Sequence, residues 1–351
     1  MRPGSASAGM KPEPAGQAGH DKDRFMQRRH FLQVSSAATL AASLPSRAQS
    51  YPSRVIRLVV PFPPGGPVDG FARLYAEALG KQLGQAVVID NKGGASGAIG
   101  SLYVKGSAPD GYTLLFATAS THALYNLTEP KPRYSAADDF EYVAVLGGAP
   151  VALAVAPSMP KTLKTVVIAA KRNPGKYNYG SPGSGTLMHV ATERFKQLTG
   201  APIAHIPYKG TGPAMQDLMG GAIEIAVGTL GVMLPLHRSG RMHIVGVATA
   251  QRLPMAPDIP TVAESGDLAA PFEAMLWNVL AVPRNTPPEV KKALADATRA
   301  VMGTPAMVAS LAEQGIFADL HIGDAAAGAY VKAEAAKWQP VIANLGDAIE
   351  R

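Results

Sequence analysis

The chain has 351 residues, of which 47% are hydrophobic and 17% are charged, and its formal net charge is +7. This length suits two domains of ordinary size, and no apolar run approaches the roughly 20 residues of a membrane span, which excludes a polytopic membrane protein. The absence of cysteine excludes disulfides, thiolate zinc sites, iron–sulfur clusters and cysteine nucleophiles.

The first 48 residues have the order of an export signal. A basic segment with the pair Arg28-Arg29 precedes a short apolar stretch, 34–44, and small residues lead up to Ala48. This order predicts a disordered leader and a twin-arginine type signal over 1–48, with cleavage after Ala48. The alternative is a disordered tail that contains an arginine pair by chance.

Most of the positive charge belongs to this segment. Residues 1–50 hold seven basic and three acidic side chains, a net +4, so the remainder carries 26 basic against 23 acidic side chains, or +3. No cluster of five or more Lys or Arg occurs in the remainder, and aromatic residues make up only 6% of the chain. We therefore expect no nucleic-acid partner.

From Tyr51 onwards, apolar strands, Gly/Pro loops and amphipathic helices alternate, which predicts an α/β fold with a mostly parallel sheet covered by helices. In the first part we predict strands at 55–60, 86–89 and 113–117 and helices at 68–83 and 98–105. In the second part we predict strands at 151–155, 176–180, 203–207, 223–227 and 242–247 and helices at 163–171, 186–198 and 213–219. The chain closes with a strand at 277–282 and helices at 286–301, 305–313 and 325–342, the first of them capped by Thr286.

Four of the loops are candidates for ligand binding, because helix N-termini at the carboxyl ends of strands present free N–H groups. In the first loop, Gly65 and Gly66 leave a ligand free to approach the backbone, and prolines such as Pro64 stiffen the approach. Asp69 either contacts the ligand or caps the next helix, and we favour the cap. In the second loop, the hydroxyls of Thr118 and Ser120 either donate to a carboxylate or cap a helix.

The third loop carries the strongest signal. Three glycines and three hydroxyls stand directly before a helix, which predicts a small anion-binding nest formed by Ser181, Gly183, Ser184, Gly185 and Thr186. His189, one turn into that helix, either reaches the ligand or packs against the loop. The fourth loop, 207–213, offers Lys209 beside hydroxyls, although a lysine on a loop is usually just solvated.

No catalytic motif accompanies these loops. The sequence lacks a Gly-x-Ser-x-Gly elbow, a phosphate-binding P-loop and a His-Glu-x-x-His motif, and its histidines show no metal-ligand spacing. We therefore predict a protein that is not an enzyme, with no catalytic residues, no metal and no cofactor.

Short motifs occur in a fixed order along the chain, at 51–54, 61–66 with Asp69, 91–97, 109–115, 173–176, 178–181, 206–210, 260–264 and 338–342. With these motifs, residues 51–345 resemble the Bug family, the substrate-binding proteins of tripartite tricarboxylate transporters. The resemblance implies an α/β, two-domain periplasmic-binding-protein (Venus flytrap) fold, with mixed, mostly parallel sheets flanked by helices. Domain 1 is expected to comprise 49–150 and 280–351, and domain 2 is expected to comprise 151–279, with the ligand cleft between them.

The resemblance also implies a function and a site. We expect a periplasmic monomer that captures a small organic carboxylate, with membrane permease subunits as partners. Phe62, Pro64, Gly65 and Gly66 would hold one end of the ligand, and the loop 181–186, with His189 behind it, would cradle the carboxylate. Thr118 and Ser120 match the family's hydroxyl-bearing loop. The alternative is an exported α/β enzyme acting on an organic acid, since a folded export route often serves cofactor-loaded enzymes.

The sequence departs from the family pattern at one position of this site. Many members carry an Asp-Asn or similar polar pair after the strand that corresponds to 223–227, where this chain has Gly228-Thr229. Thr229 is therefore included among the candidate ligand-binding residues. The departure disfavours amino-acid ligands and favours plain organic acids or aromatic carboxylates.

Overall fold

The computed structural model describes residues 51–269 and 271–349, so the predicted export signal lies outside the described residues. Within these ranges the strands are β1 (Ile56–Val60), β2 (Val87–Asn91), β3 (Thr113–Thr118), β4 (Phe140–Val155), β5 (Asn178–Ser181), β6 (Ala204–Pro207), β7 (Ile225–Thr229), β8 (His243–Val247), β9 (Met275–Pro283) and β10 (His321–Ile322). The helices are α1 (Pro67–Leu83), α2 (Ala98–Lys105), α3 (Tyr125–Thr128), α4 (Leu163–Arg172), α5 (Leu187–Thr199), α6 (Thr211–Gly220), α7 (Leu230–Arg238), α8 (Val262–Gly266), α9 (Pro288–Met302), α10 (Pro305–Glu313) and α11 (Asp324–Leu345). None of these helices is long and apolar enough to cross a membrane.

The strands form one continuous path of hydrogen-bonded neighbours, in the order β2-β1-β3-β9-β4-β7-β5-β6, with β8 and β10 paired to β4. The 16-residue strand β4 lies at the centre of this path. Its residues 140–150 pair with β9, and its residues 151–155 pair with β7 and β8. A single strand therefore belongs to both halves of the sheet.

The sheet is mixed, as expected, with parallel pairs on its outer sides and antiparallel pairs at its centre. Parallel pairing joins β1 to β2 and β3, and joins β5 to β6 and β7. Strand β4 pairs antiparallel with β7, β8, β9 and β10, and β3 pairs antiparallel with β9. Antiparallel pairing is more extensive than the βαβ alternation predicts, because β4 runs through both halves and β9 returns to the first half.

Helix α1 shows how the apolar spacing fixes the packing that positions the site. Phe71, Tyr75 and Leu79 recur every four residues on one face, and each is at most 1% exposed. The Phe71 ring meets the Phe116 ring of β3 edge to face, with centroids 5.2 Å apart. The helix ends at Gly84, whose left-handed φ of 68° favours glycine. The N-terminus of α1 is thereby fixed at the carboxyl ends of β1 and β3.

Helices α3 and α8 and strand β10 were not predicted, and three further differences have a clear physical reason. Strand β4 begins at Phe140 rather than at 151. Its Gly147 and Gly148 do not form a turn but allow neighbouring backbone segments to pack closely against the strand. Helix α7 was not predicted, since Pro235 and Gly231 lie inside it. The cap at Thr286 is also wrong: the helix has Pro287 as its N-cap, and the Thr286 hydroxyl donates to the Pro283 carbonyl oxygen over 2.7 Å.

Candidate ligand-binding site

The N-termini of three helices meet around a cavity of about 100 Å³, called here the first cavity. Helices α1, α5 and α6 begin after Gly66, Thr186 and Gly210, and all three of these N-cap residues line the cavity. Gly66 and Gly210 have no side chain with which to cap their helices, and the Thr186 side chain makes no capping hydrogen bond. Residues from the first turns, including Val68, Met188 and Thr211, complete the lining.

This arrangement favours an anion. The N-terminus of a helix carries a partial positive charge of roughly half a unit, together with N–H groups that lack intrahelical partners. Among the described residues that line the first cavity, none is Asp or Glu, and Lys209 is the one charged side chain. Three helix dipoles and a cation therefore act on whatever binds here, with no opposing carboxylate in the lining.

The loop 61–66 owes its shape to a buried carboxylate. Asp69, only 3% exposed, accepts hydrogen bonds from the Gly65 backbone N–H and from Arg73 Nε, both over 2.9 Å. Its second oxygen accepts from Asn91 Nδ2 over 2.9 Å, and Asn91 Nδ2 also donates to the Phe62 carbonyl oxygen over 3.1 Å. Burial alone would raise the pKa of Asp69, but these hydrogen bonds and the Arg73 charge hold it below its ordinary value. Asp69 thus fixes the loop, and the N-cap of α1 is Gly66.

The loop 181–186 is held by hydrogen bonds within itself and to two histidines. Ser181 Oγ accepts from the Gly183 backbone N–H over 3.2 Å and lies 2.7 Å from His205 Nε2. The Gly185 N–H donates to His189 Nδ1 over 3.0 Å. The two histidine rings stack at 4.0 Å, and burial, followed by the Lys196 charge, lowers the pKa of His205 to about 4. His189 therefore packs against the loop, the second of its two predicted roles.

Hydrogen bonds near the cavity join segments that are far apart in the sequence. The Leu187 backbone N–H at the start of α5 donates to Ser120 Oγ over 3.0 Å. The Ser96 hydroxyl donates to the Ser184 carbonyl oxygen, which joins the loop after β2 to the loop before α5. The hydroxyl of Ser120 thus binds a helix N-terminus, but that helix is α5 and not the helix that follows Ser120 in the chain.

The structure brings most of the predicted residues to the first cavity or to two cavities beside it. The first cavity is lined by Phe62, Pro64, Gly65, Gly66, Ser120, Thr186 and Lys209. A second cavity of about 280 Å³ contains Thr229 together with Gly65 and Gly66. A third cavity of about 640 Å³ contains Gly183 and Ser184, along with Phe62, Pro64 and Lys209. The predicted residues that line none of these cavities are Asp69, Thr118, Ser181, Gly185 and His189.

Several lining residues were not singled out from the sequence. Met188 and Leu276 supply apolar walls to the first cavity, and Asn278 lines the second cavity with Gly231. Asn278 did carry a signal, because it is the one polar residue in the apolar run 276–282. The apolar residues carried none, since any buried helix or strand contains such side chains.

Comparison with known proteins agrees with this architecture. The family model described as "Tripartite tricarboxylate transporter family receptor" matches residues 71–347. Protein BugT of Bordetella pertussis is 33% identical over 311 residues, which cover 88% of this chain and 94% of that protein. A protein encoded in the gbd 5' region of Cupriavidus necator is 35% identical over 299 residues, covering 82% of this chain and 89% of that protein.

Solved structures of similar proteins have the same fold. Rpa4515 of R. palustris, solved with adipate, has a TM-score of 0.80 and 34% identity, covering 84% of this chain and 98% of that one. MatC of Rhodopseudomonas palustris, solved with bound malate, has a TM-score of 0.78 and 29% identity, with coverage of 83% and 100%. The periplasmic binding protein BugD has a TM-score of 0.79 and 30% identity, with coverage of 84% and 99%. The periplasmic-binding-protein fold and the Bug resemblance are confirmed, and the chain belongs to the receptors of the tripartite tricarboxylate transporter family.

Proposed function

We propose that this protein is a periplasmic, monomeric receptor that binds a small organic carboxylate and delivers it to the membrane subunits of a tripartite tricarboxylate transporter. Residues 1–48 would direct its export and would then be removed. The observation that carries the proposal is the meeting of three helix N-termini at a cavity whose described lining includes Lys209 and no acidic side chain. Such a cavity stabilises a carboxylate through backbone N–H groups and helix dipoles.

The size of the cavity and the known relatives support the same ligand class. A volume of about 100 Å³ is several times the roughly 10–15 Å³ that one water molecule requires. Rpa4515 and MatC, which share the fold, were solved with adipate and malate. The Gly228-Thr229 pair offers no carboxylate to a ligand amino group, which favours organic acids over amino acids.

We further propose that binding is coupled to closure of two domains, 49–150 with 280–351 and 151–279. The partners of β4 change between Pro150 and Val151, at the proposed boundary. The contacts from Ser120 and Ser96 to the 181–187 segment join residues on opposite sides of that boundary. A ligand that contacts both sides stabilises the closed arrangement and shifts the population toward it.

The same geometry supports a receptor over an exported enzyme. A serine–histidine pair does occur, since Ser181 Oγ lies 2.7 Å from His205 Nε2. However, Ser181 is fully buried, lines none of the three cavities and shares its hydroxyl with the backbone of its own loop. A nucleophile must be able to reach its substrate, so this pair serves the shape of the loop.

Thermal unfolding with a panel of carboxylates tests the proposal. The mature protein, starting at Gln49, is melted with mono-, di- and tricarboxylates and with matched amides as uncharged controls. A true ligand at a hundredfold excess over its Kd stabilises the folded state by about 2.7 kcal/mol, whereas its amide has no effect. The proposal fails if no carboxylate raises the Tm, or if chromatography shows that one is chemically converted.

A further inference from the structure

We propose that Asn278 is a specificity-determining residue that recognises a second oxygen-bearing group of the ligand in the second cavity. The inference rests on the proposed function, and it adds the requirement that the preferred ligand is a bifunctional organic acid. One carboxylate would lie in the first cavity, and a carbonyl, hydroxyl or second carboxylate oxygen would lie beside Asn278.

The second cavity continues the first past the start of α1. Gly65, Gly66, Pro67, Val68 and Leu276 line both. Leu276 and Asn278 are two residues apart on β9 and therefore project from the same face of the strand. A ligand anchored in the first cavity therefore reaches Asn278 by extending past Leu276.

Asn278 brings an unused hydrogen-bonding group to this place. Its side chain lines the second cavity, the residue is 4% exposed, and its amide nitrogen Nδ2 has no partner among the described residues. Buried polar groups in native proteins are paired in about 90% of cases, and an unpaired one is costly. An amide donor that faces a cavity is therefore matched to an acceptor that enters with the ligand.

The neighbouring strand β3 carries a second polar group beside this amide. Thr118 of β3 stands directly opposite Asn278 in the antiparallel register. Thr118 is 0% exposed, and its hydroxyl oxygen also has no partner among the described residues. Residues opposite each other in such a pair present their side chains on the same face of the sheet. Thr118 and Asn278 are thus cross-strand neighbours, each with an unpaired polar atom among the described residues, and Asn278 lines the second cavity.

The surroundings of Asn278 favour an oxygen acceptor as its partner. Helix α7 begins in this cavity, with Thr229 as its N-cap and Gly231 and Val232 in the lining, so its positive end faces the same space. The rest of the lining combines the apolar side chains of Leu276, Ala149 and Ile316 with the polar side chains of Glu313 and Gln314. An aliphatic monocarboxylate would leave the Asn278 amide unpaired, whereas a bifunctional acid would satisfy it.

Calorimetric titration of Asn278→Leu tests the inference. Leucine has a similar size and removes the unpaired amide, so the variant is expected to fold with an unchanged or higher Tm. The probes are a dicarboxylate, a hydroxy acid and a monocarboxylate of equal chain length. The variant is expected to bind the bifunctional acids roughly 10- to 100-fold more weakly than wild type, and the monocarboxylate within about twofold. Comparing the dicarboxylate with the hydroxy acid shows which oxygen the site prefers.

Matched threonine variants extend this test. Thr118→Val removes the hydroxyl opposite Asn278. This variant is also expected to weaken the binding of bifunctional acids selectively. Thr192→Val is the control, because Thr192 is equally buried but its hydroxyl already donates to the Met188 carbonyl oxygen. Equal losses for both ligand classes, or no loss, in Asn278→Leu would overturn the inference and indicate a structural water at this site. If wild type binds none of the acids, the proposed function itself fails, which is a different outcome.

Discussion

At the scale of single residues, the buried carboxylate of Asp69 shapes a loop of the site. Asp69 lies in the first turn of α1, where sequence reasoning places a cap or a ligand contact. In the structure its carboxylate instead accepts hydrogen bonds from Gly65, Arg73 and Asn91. The motif beginning at Asn91 contributes to the site in the same indirect way, by holding the Phe62 carbonyl. These residues position the backbone groups that would contact the ligand.

Removing the charge of Asp69 is expected to loosen this loop. Asp69→Asn should lower the free energy of unfolding at pH 7 by about 1–3 kcal/mol, because a buried acceptor of charged hydrogen bonds is lost. The pKa of Asp69 in the folded state lies below 3.8, so its stabilisation is present above that pH and is lost as the pH falls below it. Urea titrations from pH 7 to pH 3 should show the two proteins converging in acid. A difference that stays constant would contradict this role.

The buried side chain of His122 gives the stability of the fold a second dependence on pH. His122 lies among the Tyr134, Phe140 and Tyr142 rings, at centroid distances of 4.8–6.0 Å, and burial lowers its pKa to about 3. Between pH 6.5 and about 3 the unfolded chain binds a proton that the folded chain excludes. Stability therefore falls with falling pH, by up to about 1.4 kcal/mol per pH unit for this one group. In His122→Phe the slope measured by urea unfolding should be shallower, and an unchanged slope would refute the assignment.

At the scale of elements, the sequence located most helices and strands because their apolar periods are regular. Helix α2 was predicted with its observed bounds, 98–105, and α10 with its observed bounds, 305–313. The exceptions depend on tertiary contacts. Strand β4 continues through Gly147 because this residue, with a φ of 108°, lies against the backbone of 317–319, and no local pattern reveals that neighbour. Helix α7 contains Pro235, which reads as a breaker in the sequence.

The N-terminus of α7 packs closely against the segment that follows α10. A Cβ placed at Gly231 would lie 1.7 Å from the Gln314 carbonyl oxygen, so Gly231→Ala should separate α7 from the segment after α10. If this contact forms on closure, the variant should bind the carboxylate at least about tenfold more weakly and should not become more compact with ligand. Small-angle scattering and calorimetry measure the two effects. Gly220→Ala is the control, because a Cβ there would meet nothing within 4 Å. Wild-type affinity and compaction in Gly231→Ala would contradict a role in closure.

At the scale of the whole molecule, the sequence identifies the loops of the site but does not show how they meet. The loops around Gly65, Ser120, Thr186 and Lys209 were each singled out from composition, and they line one cavity. Their assembly depends on a strand path in which β4 runs through both halves and β9 lies between β4 and β3. The same path sets Asn278 against Thr118, two residues 160 positions apart whose juxtaposition no local motif encodes.

In the proposed function, backbone groups at converging helix N-termini bind a carboxylate. A crystal structure with the acid that most raises the Tm tests this most directly. We expect a carboxylate oxygen within about 3.2 Å of backbone N–H groups at the starts of α1, α5 or α6, with Lys209 nearby. A carboxylate bound away from all three N-termini, or held by surface lysine and arginine side chains alone, would contradict it.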